Sequence, residues 1–275
     1  MKISVVVTTY EWPQALALVL RALAQQESLP DEVIVADDGS GAETQSVLRD
    51  IARDFPIALR HVWQEHRGFR VGEARNRAVA AARGDYIVFL DGDMLPQAHF
   101  VADHRAAAQP RCFTQGMRAL AGAQLTANLL STQSLRVSAF AADLHARRHA
   151  LRLPLARFWR RPRDFGRKLP MSCNQGFWRD DLLEVNGFDE RMAGWGREDT
   201  ELALRCYRAG IRRLQLRYCA VAVHLVHPPR GNGRARTAND GYLEESERTG
   251  RTRCELGIDR HLAEFAQPPA DLRNA

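Results

Sequence analysis

A chain of 275 residues with 45% hydrophobic residues can build one large α/β domain, and this composition excludes a disordered protein. The formal net charge of +6 permits anionic partners such as nucleotides, lipid surfaces or nucleic acid, without selecting among them. Five scattered cysteines without a Cys-x-x-Cys pair argue against a disulfide framework and for a reducing compartment. The apolar run 3–7 is too short for a signal peptide, and no run reaches membrane-spanning length. We therefore predict a cytoplasmic location, with peripheral contact at the inner face of the cytoplasmic membrane.

Short apolar, β-favouring runs alternate with helical patterns through the first ninety residues. Strands are predicted at 3–8, 32–36, 57–63 and 86–90, and helices at 14–26, 43–54 and 71–82. Strands that alternate with helices form βαβ units with right-handed crossovers. The fold class predicted is therefore α/β, with a mainly parallel central sheet flanked by helices.

The fourth strand ends at Asp91-Gly92-Asp93, and the rest of the chain is interpreted around this motif. Its two carboxylates can point into one space at the carboxyl end of a strand, where open α/β sheets bind ligands. Hard cations take carboxylate oxygens and share the rest of their shell with substrate phosphates. The motif therefore predicts a divalent ion that holds a diphosphate, and the alternative is a solvated turn. Pro96 is expected to open a helix just beyond.

Four segments of this half resemble the nucleotide-binding half of a family 2 glycosyltransferase of GT-A fold: Val6-Val7-Thr8-Thr9-Tyr10, Val35-Ala36-Asp37-Asp38-Gly39-Ser40, Ala74-Arg75-Asn76 and Asp91-Gly92-Asp93. The resemblance implies that Thr8, Tyr10 and Asp38 contact the nucleoside of a nucleotide-sugar, with Asp38 accepting from uracil N3–H. It implies that Arg75, or Arg70 in the preceding loop, faces the diphosphate, which a planar guanidinium suits. The other interpretation of 37–40 is a turn with a helix cap. The motifs of dinucleotide-binding sites and P-loops are missing after the first strand.

The region from 97 to 169 is less informative. A helix is predicted at 127–153, with a buried face made by Leu129, Leu130, Leu135, Val137, Phe140 and Leu144. From 147 to 168, basic residues interleave with aromatic and aliphatic ones, which suits a membrane interface or an anionic lipid-linked acceptor. The alternative is a solvated surface loop. No nucleic-acid-binding module accompanies this segment, so nucleic acid is not predicted as a partner.

The second informative stretch is Trp195-Gly196-Arg197-Glu198-Asp199, which resembles the Trp-Gly-x-Glu-Asp motif of β-1,4-galactosyltransferases and bacterial chondroitin-type polymerases. Gly196 lets the backbone approach a ligand, Trp195 offers an apolar face to a sugar ring, and the acids open a helix predicted at 198–209. Acids in a first helical turn also simply suit the helix dipole. The resemblance implies that Asp199 is the general base, that Asp91 contacts the ribose or a metal-bound water, and that acceptor-binding residues are Trp195, Gly196 and Glu198.

A histidine follows this motif at the distance where related transferases place a metal ligand. The resemblance implies that His227 joins Asp93 in binding the metal, with His224 as the second choice. On a regular strand these two histidines would face opposite sides, so both can bind one ion only if the chain bends between them. Imidazole, carboxylate and phosphate oxygens together suit manganese better than calcium. The predicted cofactor is Mn²⁺ or Mg²⁺.

These expectations divide the chain into a donor-binding half at 1–110, an acceptor-binding and catalytic half at 111–230, and a C-terminal part at 231–275. The basic, glycine-rich segment 230–236 is interpreted as a lid, 242–264 as interrupted helix and 267–275 as a disordered tail. The resemblance implies metal-dependent, inverting transfer of a sugar, with a UDP-sugar as expected donor, to a glycan or lipid-linked glycan of a bacterial surface. Two alternatives stay open: a sugar-1-phosphate nucleotidyltransferase, and a non-catalytic binder of glycan or anionic lipid.

Overall fold

The computed structural model describes residues 1–153, 155, 161–163, 170–228 and 238–274. Within these ranges the strands are β1 (Ile3–Thr9), β2 (Glu32–Asp37), β3 (Ala58–Trp63), β4 (Tyr86–Asp91), β5 (Met94–Pro96), β6 (Cys112–Gln115), β7 (Arg118–Ala121), β8 (Leu144–His145), β9 (Asn174–Trp178), β10 (Arg212–Gln215) and β11 (Ala222–His224). The helices are α1 (Pro13–Ala24), α2 (Ala42–Ala52), α3 (Val71–Ala81), α4 (Phe100–Ala107), α5 (Ala123–Thr132), α6 (Arg179–Val185), α7 (Glu198–Arg208) and α8 (Ala238–Thr249).

The central sheet has the strand order β10-β6-β9-β4-β1-β2-β3. The strands β1 to β4 pair in parallel, β10 pairs in parallel with β6, and β9 alone runs antiparallel to its neighbours β4 and β6. The predicted mainly parallel α/β sheet is thereby confirmed. A smaller sheet, in the order β5-β11-β7-β8, continues from the end of β4 and carries the second half of the site.

Residues of β1 alternate between the two faces of the central sheet, so that helices cover both sides. Val5 and Val7 pack into the core under α1 and α2, whereas Val6 packs into the core under α3, α6 and α7. All three valines are fully buried, and burying such a side chain stabilises the fold by about 1.5–3 kcal/mol. A strand that is apolar on both faces is the expected result of covering a parallel sheet on both sides.

The helix α7 is anchored by an ion pair that is completely buried. Arg205 and Glu201, one turn apart, lie 2.7 Å apart between nitrogen and oxygen, and both side chains are inaccessible to solvent. Arg205 also donates to the carbonyl of Gly187 at 2.6 Å, and Arg251 approaches Glu201 at 3.3 Å. Removing one partner of such a pair leaves a buried, uncompensated charge, so this arrangement fixes the position of α7.

Three predictions about local structure are wrong. The helix predicted at 127–153 ends at Thr132, where Gln133 adopts the left-handed conformation. The strand β8 follows, and Phe140, predicted to be buried, is 83% exposed. The apolar residues of this region belong to separate elements that pack on the smaller sheet, which produced the misleading helical spacing. Pro96 ends β5, which pairs with β11, and the next helix begins at Phe100.

The C-terminal part also differs from the prediction. The helix α8 ends at Thr249, and the residues after it form loops and short 3₁₀ turns. The predicted disordered tail is wrong for 267–274, because Asp271 Oδ1 accepts from the backbone nitrogen of Leu59 at 3.2 Å. The predicted lid at 230–236 and much of the basic segment 147–168 lie outside the described residues. No helix in the described ranges has both the length and the apolar character needed to cross a bilayer.

Candidate active site

A cleft of about 460 Å³ opens at the carboxyl ends of β1, β2 and β4 and extends to α7 and β11. Most of the predicted site residues line it, although they are spread over 220 positions of the chain: Thr8, Tyr10, Asp38, Arg75, Asp91, Asp93, Trp195, Glu198, Asp199, His224 and His227. Two predicted residues, Arg70 and Gly196, do not line the cleft. The tertiary structure therefore brings both predicted halves of the site into one space.

The predicted nucleoside end of the cleft is built around a buried carboxylate. Asp38 Oδ1 accepts from Gln64 Nε2 at 2.7 Å, and Oδ2 accepts from the backbone nitrogen of Arg70 at 2.8 Å. Burial raises the pKa of Asp38, and these hydrogen bonds act in the opposite direction. The ring of Tyr10 stacks on His66 with centroids 4.5 Å apart. The sequence analysis missed Gln64 and His66, because it considered only Arg70 in the loop after β3.

The guanidinium of Arg75, rather than that of Arg70, faces the cleft. Arg70 Nη1 donates to Glu73 at 2.6 Å. Arg75 is almost fully buried; its Nη2 donates to Asp91 Oδ1 at 2.9 Å, and that oxygen also accepts from Thr8 Oγ1 at 2.8 Å. Within the described ranges, Arg75 Nε and Nη1 have no hydrogen-bond partner. Arg75 thus brings a buried positive charge to the wall of the cleft.

Asp93, His224 and His227 form a cluster with metal-ligand chemistry. One ligand atom from each of the three residues lies within 4.8 Å of the others. His224 Nε2 lies 3.8 Å from Asp93 Oδ1, and His227 Nε2 lies 3.3 Å from Asp93 Oδ2. Both histidines reach the carboxylate because β11 ends at His224 and the chain then bends, with Leu225 N donating to Asp93 O at 2.9 Å. The bend that the sequence analysis required is present.

The protonation of these histidines suits a cation. His227 Nδ1 lies 2.6 Å from the carbonyl oxygen of Pro228, so this nitrogen must carry the proton. In the neutral ring the lone pair is then on Nε2, which lies 3.3 Å from Asp93 Oδ2, where it can bind a cation. Burial lowers the pKa of His224, which favours the neutral, ligating form. The three residues therefore fit a divalent transition metal.

Two acids at the start of α7 face the same cleft. Burial raises the pKa of Glu198 to about 7, with the neighbouring charge of Asp199 acting in the same direction. Burial also raises the pKa of Asp199, against the opposing charge of Arg75. Asp199 Oδ2 accepts from the backbone nitrogen of Ser172 at 3.3 Å. A buried carboxylate with a raised pKa, in a cleft, has the properties of a general base.

The turn before α7 holds Trp195 at the mouth of the cleft. Gly194, Gly196 and Arg197 all have positive φ, so the backbone turns sharply on both sides of Trp195. The carbonyl of Gly196 accepts from Asn239 Nδ2 at 2.8 Å, which ties the turn to α8. Trp195 is 49% exposed and lines the cleft, so its ring remains available to a ligand.

One further charged residue of the cleft was missed by the sequence analysis. Arg118, on β7, lines the cleft on the side of Cys173 and His224. A single arginine in an uninformative stretch gives no sequence signal, and the strand pairing of β7 with β11 is what brings it to the site.

Comparison with known sequences identifies relatives for both halves of the chain. Residues 4–115 match the profile of "Glycosyl transferase family 2", and residues 163–228 match that of "N-terminal domain of galactosyltransferase". Validoxylamine A glucosyltransferase of Streptomyces hygroscopicus subsp. limoneus is 30% identical over 235 residues, which cover 76% of this chain and 48% of that protein. Chondroitin synthase of Escherichia coli is 26% identical over 230 residues, which cover 76% of this chain and 32% of that protein. The chain thus spans half or less of the length of these relatives.

Two solved structures superpose on nearly the whole chain. S. aureus TarS 1–349 in complex with UDP superposes with a TM-score of 0.63 at 18% identity, covering 97% of this chain and 71% of that one. The mannosyltransferase PcManGT from Pyrobaculum calidifontis, in complex with GDP-Man and Mn²⁺, gives a TM-score of 0.57 at 21% identity, covering 96% and 73%. These likenesses confirm the predicted GT-A fold.

Proposed function

We propose that the chain is a metal-dependent, inverting glycosyltransferase, on the basis that residues 4–115 match glycosyl transferase family 2 and residues 163–228 match a galactosyltransferase domain. The donor is a nucleotide-sugar, with a UDP-sugar as the expected class. The acceptor is a hydroxyl group of a glycan or a lipid-linked glycan. The TarS neighbour is solved with UDP and the PcManGT neighbour with GDP-Man and Mn²⁺, which supports a nucleotide-sugar donor and a metal.

The observation that carries this proposal is that a metal-binding cluster and a pair of acids with raised pKa line one cleft. Asp93 and the two histidines lie on the side of β4 and β11, and Glu198 and Asp199 lie on the side of α7. A donor whose diphosphate lies at the cluster would present its sugar to the acids. Such a juxtaposition is needed for group transfer and has no purpose in a protein that only binds.

The residues of the chain would divide the work of a single displacement. The acceptor oxygen forms a bond to the anomeric carbon while the bond from that carbon to the diphosphate oxygen breaks. Asp199 takes the hydroxyl proton as general base, and Glu198 and Trp195 orient the acceptor. Thr8, Tyr10 and Asp38 hold the nucleoside, and the charge of Arg75, paired with Asp91 at the cleft, faces the diphosphate. Attack on the face opposite the leaving group inverts the configuration.

Asp93, His224 and His227 would hold the metal. When bound, Mn²⁺ or Mg²⁺ neutralises the charge that develops on the leaving diphosphate. A carboxylate with two imidazoles favours Mn²⁺ over harder ions, which prefer oxygen ligands. The contact of segment 147–168 with a membrane or acceptor stays a prediction, because much of that segment lies outside the described residues.

Calorimetric titration of UDP, GDP, CMP and dTDP, first with Mn²⁺ and then with a chelator, tests the donor site. Selective binding of UDP that depends on Mn²⁺ is the expected result. A panel of UDP-sugars, with release of UDP as the readout, then identifies the donor. Failure of every nucleotide to bind under both conditions would contradict the proposal.

A further inference from the structure

Arg118 is a cationic side chain of the cleft for which the described residues offer no carboxylate partner. Its one hydrogen-bond contact in the described part of the chain runs from Nη1 to the sulfur of Cys173, at 3.8 Å. Among the described residues, the other arginine that lines the cleft is Arg75, which is paired with Asp91. A half-buried guanidinium normally has a carboxylate or phosphate partner, because five donors have to be satisfied.

Cys173 cannot supply the missing negative charge. It is fully buried, and burial raises the pKa of its thiol to about 12, so the sulfur is neutral at physiological pH. A neutral thiol is a weak acceptor, and its contact with Arg118 is long. The charge of Arg118 is therefore left for a ligand, in a position where its field also reaches His224.

A second, smaller cavity of about 180 Å³ lies at the start of β7, the strand that carries Arg118. Met117, the preceding residue, lines this cavity together with Arg148, His149, Arg217 and Tyr218. His149 Nδ1 donates to the backbone carbonyl of Arg118 at 2.9 Å, which joins the wall of the cavity to the wall of the cleft.

The described residues that line this second cavity include two arginines and no acid. Arg148 Nε donates to His149 Nε2 at 3.2 Å, and its terminal nitrogens contact no carboxylate of the described residues. Arg217 likewise has no ion pair in the described part of the chain, and no acid is among the residues that line the cavity. Arg118 lies at the cleft, and the exposed residues Arg148 and Arg217 lie at the second cavity; we call these three arginines the basic track.

We propose that the basic track binds an anionic acceptor, a glycan that carries carboxylate or phosphate groups, with one such group at Arg118 and the next in the second cavity. This inference rests on the proposed function and specifies the acceptor of the same site. Guanidinium groups bind carboxylates and phosphates through paired N–H donors, which is the chemistry that both classes of glycan share.

The second cavity, rather than Arg118 itself, favours the acceptor over the donor. Arg118 lies on β7, which pairs with the strand of His224, at the end of the cleft where the diphosphate of a donor would lie, so its assignment to the acceptor depends on the cavity beyond it. The cavity beyond it is lined by residues 117, 148–149 and 215–219, which all follow the donor-binding half. A chain of sugars longer than the cleft has a place to continue there, which a nucleotide-sugar does not need.

The test compares the binding of two oligosaccharides. The first contains a uronic acid at every second position, and the second is its neutral counterpart, in which the carboxyl groups have been reduced to alcohols. A third probe is an oligosaccharide joined by phosphodiesters. Each is titrated into the full chain and into Arg118→Gln and Arg148→Gln/Arg217→Gln, with Arg49→Gln on the exposed side of α2 as the matched charge control. Arg118→Lys, which keeps the charge, and thermal melting of each variant exclude a folding defect as the cause.

The expected result is that one anionic probe binds at least about tenfold more tightly than the neutral one, and that Arg118→Gln removes most of this difference. The double variant weakens the same probe, more strongly at low salt, while Arg49→Gln changes nothing. Which anionic probe binds identifies carboxylate or phosphate as the group recognised. Equal affinity for neutral and anionic oligosaccharides would overturn the proposal. Single-stranded RNA is titrated as a further anionic probe, and a loss of RNA affinity in Arg118→Gln equal to the loss of oligosaccharide affinity would also overturn it.

Titration of UDP with Mn²⁺ into the same variants separates this inference from the proposed function. UDP affinity is expected to change less in Arg118→Gln than affinity for the anionic probe. Loss of UDP affinity with unchanged oligosaccharide affinity would assign Arg118 to the donor and overturn the acceptor proposal. If the unmodified chain binds no nucleotide but binds the anionic probe, the proposed transferase function fails while the basic track stands.

Discussion

Arg75 Nη2 lies 2.9 Å from Asp91 Oδ1, and this pair fixes a buried guanidinium between the carboxyl end of β4 and the two acids of α7. The charge of Arg75 lowers the pKa of Glu198 and of Asp199, although burial raises both overall. One arginine therefore links the predicted donor side of the cleft with the predicted acceptor side.

Replacing Arg75 by glutamine should move the pH dependence of transfer. Without the positive charge, the pKa values of Glu198 and Asp199 rise further, so the acidic limb of the pH–rate profile should shift upward by about one unit. The measurement is kcat/KM against pH, with Arg75→Lys as the control that keeps the charge. A profile that coincides with that of the unmodified chain would contradict an electrostatic role for Arg75.

Asp199→Asn should abolish transfer while UDP affinity in the presence of Mn²⁺ stays nearly intact. A general base acts only in the transition state, and its loss typically lowers kcat by about 10²–10⁴-fold. Initial rates and calorimetry on the same preparation measure both effects, and Asp180→Asn, an exposed acid of α6, is the matched control. An equal loss of donor binding would remove Asp199 from the role of base.

Asp93→Asn should weaken the metal-dependent part of nucleotide binding. The amide has no negative charge to offer a cation between Asp93 and the two histidines, so Mn²⁺ affinity should fall by at least about tenfold. Titration of Mn²⁺ alone and of UDP with Mn²⁺ measures this change, with Asp50→Asn, an exposed acid of α2, as control. If Mn²⁺ binds Asp93→Asn as tightly as the unmodified chain, the metal assignment is wrong.

Glu198 should make folding stability depend on pH. Its pKa is about 7 in the folded protein and near 4.5 in the unfolded chain, so the folded state binds the proton more tightly. Stability from this group is therefore lost as pH rises from about 4.5 to 7, and the loss then stays constant above that range. The full difference corresponds to roughly 3 kcal/mol in the free energy of unfolding.

Urea denaturation at pH 5, 6, 7 and 8 tests this dependence. The variant Glu198→Gln, which cannot ionise, should lose less stability than the unmodified chain between pH 5 and 7. Glu247→Gln, on the exposed face of α8, is the control, and its free energy of unfolding should change with pH as much as that of the unmodified chain. Parallel slopes for the unmodified chain and Glu198→Gln would show that burial does not raise the pKa of Glu198.

The sequence alone determined the main elements of the sheet and the residue types of the site. The run Tyr86 to Leu90 is apolar without interruption, and only a strand covered on both faces accounts for such a run before Asp91-Gly92-Asp93. The two motifs around Asp93 and Asp199 also have a composition that predicts their chemistry, so their presence in one cleft was expected. These predictions depend only on residue type and on the spacing of residues that are close in the chain, and both can be read directly from the sequence.

Only the tertiary structure decided which residues meet. The bend after His224 brings both histidines to Asp93, the pairing of β7 with β11 brings Arg118 to the cleft, and the loop after β3 brings Gln64 to Asp38. The end of α5 at Thr132 was likewise set by packing on the smaller sheet and not by helical spacing. These contacts join residues far apart in the chain, and their free energy depends on burial and pairing that exist only once the fold has formed.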